Sequence, residues 1–157
     1  MDNIVEGDFV LEEDTTIDGN LVVNGNILGK NNRNYSLVVK GNISAHDIRV
    51  WNILAGDIYA RDISSWNLSA GDISVRDILS RNISVDGLSA RNIKAHDIAA
   101  WYIIAKEIKY YAVCYAHVNI ECERIEGSVP NSRHFTIDGE IIIKKINWKS
   151  GNSWHKE

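Results

Sequence analysis

The chain holds one proline, Pro130, and two cysteines, Cys114 and Cys122, in 157 residues. So little proline, with no low-complexity linker, argues against disorder and against a hinge between two globular bodies. Two thiols eight residues apart, without metal-type partner spacing, do not indicate a disulfide framework, and free thiols are expected. No stretch reaches about 18 uninterrupted apolar residues, so no membrane-spanning helix is expected. The opening residues lack a basic region followed by an apolar run, and a cytoplasmic protein is expected. Positive charge is not in excess either: 17 Lys and Arg against 21 Asp and Glu leave a net charge of -4. Nucleic acid is therefore not expected as a partner on overall charge.

The motifs of catalysis are missing too. There is no GxSxG, no phosphate loop and no CxxC. The histidines His46, His96, His117, His134 and His155 share no motif and no common spacing, so no metal site is built from them. No six-residue units of the acyltransferase type occur, and the repeats contain no Thr for a flat ice-binding array. The expectation is a protein that is not an enzyme and carries no cofactor.

What the chain does contain is repetition. From Ile43 to Val118 every fifth residue is aliphatic, sixteen in succession. Neither a helical period of 3.6 nor a plain strand period of 2 keeps one residue in five apolar for so long, so this is a repeat unit. Two places after most of these aliphatics comes a small residue such as Ala55, Val75 or Ala90, which gives local strand alternation of aliphatic in, variable out, small in. The residue before the aliphatic is Asp or Asn in eleven of the sixteen units. Those side chains bond nearby backbone and tolerate bends, so each unit reads as a short strand and a corner.

Stacked coils bring residues one coil apart to about 4.8 Å, so like residues recur at the coil length. In the position preceding Asp/Asn, a lag of fifteen gives four identities, among them Trp51/Trp66 and Arg61/Arg76, and a lag of twenty gives one. The fold class that follows is all-β, a single-stranded parallel β-helix, three-sided with fifteen residues per coil. A four-sided coil is the alternative, because a recent fifteen-residue duplication would leave the same trace.

The pairs in "GDI", "RDI", "WNL" and "RNI" resemble the [DN][IL] core of the pentapeptide-repeat family over roughly residues 42–118. That resemblance implies a right-handed, four-sided β-helix and, in some members, mimicry of a DNA rod that occupies a type II topoisomerase. The chain departs where the family wants a small inward residue and here carries Trp51, Arg61, Trp66, Arg76 or His96. The segment "TIDGNLVVNGNILGK" is similar to bactofilin-type polymer-forming proteins, which implies that the same solenoid begins there with less regular coils.

Three regions are expected: residues 1–42 as an N-terminal cap with irregular coils, 43–122 as the regular solenoid, and 123–157 as a C-terminal β-hairpin cap around Asp138-Gly139. A solenoid exposes sheet edges at its ends. Ile141, Ile142 and Ile143, with Trp148, are the candidate oligomerisation residues, and a homo-oligomer is expected. On the coil surface Trp51, Trp66, Arg81, His96 and Tyr111 fall in one column, the candidate surface for a protein partner. Arg61, Arg76 and Arg91 run beside Asp47, Asp62 and Asp77 and are expected to pair as surface ions. Asn52, Asn67 and Asn82 are expected to form an amide ladder.

Overall fold

The computed structural model describes residues 1–146. They form one parallel β-solenoid of about eight turns, with no α-helix among the described residues. Three ladders run up the column. In the first, Leu21, Ile43, Ile58 and Ile73 lie in successive register, and the ladder resumes with Leu88, Ile103, Ile120 and Ile141. The second aligns Ile27, Ile48 and Ile63, and the third Leu37, Ile53 and Leu68. Ile58 pairs with both Ile43 and Ile73, so each regular coil takes fifteen residues and passes three strands.

From Asp62 to Ala100 the extended backbone runs without a loop, so the corners are bends within the ladders. The local pattern explains why. From Ile43 through Ile108 every fifth side chain is at most 3% exposed, and Val75, Ala90 and Ala105 fill the narrower inward places beside them. Each buried aliphatic contributes roughly 1.5–3 kcal/mol relative to exposure, and successive Ile side chains share one continuous core.

The aliphatic series was expected to continue inward to Val118, but it ends at Ile108. The register between adjacent coils shifts between Ala95 and Asp97, where Ala95 faces Tyr110 but Asp97 faces Val113. One extra residue in the later coil turns Cys114 inward beneath Ile98. Val113 becomes half-buried, and Val118 is 45% exposed. Ile120 then takes the inward place under Ile103. A bulge absorbs such an insertion at the cost of a local kink.

The ends also differ from expectation. Arg133–Thr136 and Ile141–Ile143 do not form a hairpin; each lies parallel on the coil before it, against Val113–Ala116 and Ile120–Cys122. Asp138-Gly139 bends the chain, but the strand after the bend goes to the next rung of its ladder and not back along its predecessor. At the other end, Asp2–Glu6 pairs with Asn20–Asn24. The coil that follows is longer and carries the polar loop near Lys30–Asn32, where Asn31 and Asn32 take positive φ.

Candidate functional site

The three corner columns use Asp and Asn in three ways. Along the first, the side-chain oxygens of Asn20, Asn42 and Asp57 each accept the backbone N–H one coil on, at 2.9 Å. Gly56 and Gly71 leave room for this: a Cβ on either would come within 2.6 and 2.7 Å of the Asn42 and Asp57 oxygens. Along the second, Arg61 grips Asp47 through two hydrogen bonds of 2.9 and 2.7 Å, and Arg76 bonds Asp62 at 2.8 Å. The Arg61 guanidinium holds the Asp47 carboxyl below the usual carboxylate range. Along the third, Asn82 donates to Asn67 and Asn67 to Asn52, both at 2.8 Å, and Asn52 donates to the Ser36 hydroxyl at 3.0 Å.

The five residues of the expected surface column are brought together. Trp51 and Trp66 stack with centroids 4.6 Å apart and planes 8° from parallel. The Arg81 guanidinium carbon lies 4.4 Å from the Trp66 ring centre. His96 and Tyr111 stack at 4.9 Å. The fifteen-residue register alone produces this, because each ring belongs to the same corner of successive coils.

Sequence reasoning missed what runs beside the rings. Arg49, Lys94 and Lys109 belong to a neighbouring column, and between the two columns lies an open groove of about 630 Å³. The loop residues Arg33 and Asn34 bound it at one end and Ser128 at the other. No Asp or Glu lines this groove, although acids outnumber bases in the chain. Arg49 and Lys109 meet carboxylates only at 3.8 and 3.4 Å, those of Asp47 and Glu107. Among the described residues no ion pair engages Arg33, Arg81 or Lys94. His96 hydrogen-bonds Asp97 at 2.9 Å. The trough on the other side of the Arg49 column differs in kind, with Asp62, Asp77 and Glu107 in its walls.

A second aromatic group was also missed. Trp101 and His117 lie 4.4 Å apart, and Tyr115 stacks on Phe135 at 5.5 Å. These pairs are sixteen and twenty residues apart, because the coils have lengthened there, so a search at fifteen does not find them. Tyr110 is buried and its hydroxyl meets His134 Nδ1 at 2.6 Å. Burial pushes the Cys114 thiol up to about 12 and Cys122 to about 11, so neither is a ready nucleophile. No cluster of three or more His, Cys, Asp or Glu suited to a metal occurs among the described residues. No helix among the described residues is long and apolar enough to cross a membrane.

Of the candidate oligomerisation residues, Ile141 and Ile142 are half-buried and Ile143 is exposed; Trp148 lies outside the described residues. Compared with protein-family models, with curated proteins and with solved structures, the chain matches none.

Proposed function

We propose that the protein is a non-catalytic structural module, a rigid β-solenoid that associates with copies of itself through its C-terminal end and presents its faces to protein partners. One observation carries this: Ile141–Ile143 is bonded on one side only among the described residues, and Ile143 is 58% exposed. A one-sided apolar strand is a template for pairing with another chain. The opposite end supports directional contact, because residues 1–29 contain seven acids and no Lys or Arg. The [DN][IL] pairs support kinship with the pentapeptide-repeat family, and the two buried free thiols suit a reducing compartment such as the cytoplasm. Mimicry of a DNA rod is less well supported, since Asp47 and Asp62 are paired with Arg61 and Arg76.

Light scattering tests the assembly. The wild-type chain is expected to form a defined oligomer, and Ile143→Lys to be monomeric with an unchanged circular dichroism spectrum. A wild-type monomer, or an Ile143→Lys oligomer of the same mass, refutes association through this strand.

A further inference from the structure

We infer that the groove between the Trp51 and Arg49 columns binds single-stranded nucleic acid, tracking its phosphates with cations and taking its bases against the exposed rings. This goes beyond self-association and does not depend on it. Cations recur along the groove at Arg33, Arg49, Arg81, Lys94 and Lys109, with no carboxylate in the lining. They occupy five of six successive coils. At about 4.8 Å per coil the row spans roughly 24 Å. So the overall charge of -4 hides one face on which positive charge is concentrated.

The kind of ligand follows from what the groove offers. It runs across the strands, whose N–H and C=O groups are already spent on the ladders, so an extended peptide would find no backbone partners there. Recognition must come from side-chain charge, from hydroxyl and amide groups such as Ser64 and Asn34, and from rings. The rungs are wider apart than the 3.4 Å rise of a stacked strand, so a strand following the cations is stretched and its bases separate. Tyr111, 49% exposed, stands beside them and is stacked by His96 on one face, whereas Trp66, 38% exposed, lies between Trp51 and the Arg81 guanidinium and offers a base its edge. A cationic groove with adjacent aromatics is the combination that holds single strands without reading sequence. An acidic polysaccharide would use the same cations but has no planar bases to place on the rings.

Fluorescence anisotropy of a labelled twelve-residue oligothymidylate against the full chain tests this. Binding at 50 mM salt is expected to weaken about 20- to 130-fold at 200 mM, if three to five phosphates are neutralised on a single strand. Arg81→Glu/Lys94→Glu, both exposed positions, is expected to lower affinity at least tenfold, with a melting temperature lowered by no more than a few degrees for the lost Arg81–Trp66 contact. Arg91→Glu, outside the groove, is expected to bind as wild type, and so is monomeric Ile143→Lys. No binding at 50 mM salt, binding indifferent to Arg81→Glu/Lys94→Glu, or a heparin fragment that binds more tightly than the oligonucleotide would each overturn the proposal.

Discussion

Replacing Ile73 by alanine tests the stacking of the core at its most constrained point. The side chain is 1% exposed and belongs to the ladder of Ile58 and Leu88 near the middle of the column. Three buried carbons are removed, worth about 2.4 kcal/mol at roughly 0.8 kcal/mol each. The neighbouring coils are tied by their own hydrogen bonds and cannot collapse into the gap, so a cavity term adds to this. The expected loss is about 3–4 kcal/mol, within the range for such truncations. In a solenoid each coil rests only on its neighbours, so a central truncation weakens two interfaces at once. Leu79→Ala is the control: Leu79 follows the inward Ile78 by one residue, points outward and is 54% exposed. Its expected cost is within about 0.5 kcal/mol, as for an ordinary surface change. Urea unfolding followed by circular dichroism measures both. If Ile73→Ala costs under about 1.5 kcal/mol, or no more than Leu79→Ala, the alternation of inward and outward residues is wrong.

Gly71→Ala is expected to destabilise by about 1–3 kcal/mol, as small-to-large changes in tight places do, because the added Cβ would strike the Asp57 oxygen that accepts the Asp72 N–H; a melting temperature equal to wild type would contradict this. Asp47 stays ionised in the folded chain at pH values where the unfolded chain takes up a proton. Its contribution is therefore present above about pH 4 and lost as pH falls through its lowered value. Thermal melts from pH 6 down to 2 should fall less steeply for Asp47→Asn than for wild type, and parallel curves would refute the pairing. Cys114 is raised to about 12, so its stabilising effect is full below the unfolded value near 9 and is lost as pH rises toward 12. The native chain should leave both thiols unreacted with a thiol reagent at pH 8 until urea is added, and rapid labelling of the native chain would show that they are not buried.

The regular part of the fold was legible because a five-residue period and a fifteen-residue lag are both written in the side chains. Ile43 to Ile108 mark the core, and Trp51 and Trp66 meet because they share a corner. The end of the series was not legible: at Val113-Cys114 either residue can point inward, so an inserted residue leaves no visible break in the apolar pattern. Asp138-Gly139 misled for a related reason. It signals a bend, and the same bend serves a hairpin or a solenoid corner; what decides is the ladder offered by Ile120–Cys122, some twenty residues earlier. The ring column was readable from one lag. The groove was not, because it needs two columns to be adjacent and Arg33 to arrive from a loop in an irregular coil.

The central claim is that fifteen residues return the chain to the same ladder, and disulfide trapping tests it directly. Leu54 and Ser69 face each other across adjacent strands, at a separation near 4.8 Å that a disulfide can bridge. Leu54→Cys/Ser69→Cys should oxidise to an intramolecular disulfide in the native state, with Cys114 and Cys122 protected by burial. Leu54→Cys/Ser74→Cys, twenty residues apart, should stay reduced under the same conditions. The opposite outcome, a bond at twenty and none at fifteen, would contradict the register on which the core, the ring column and the groove all depend.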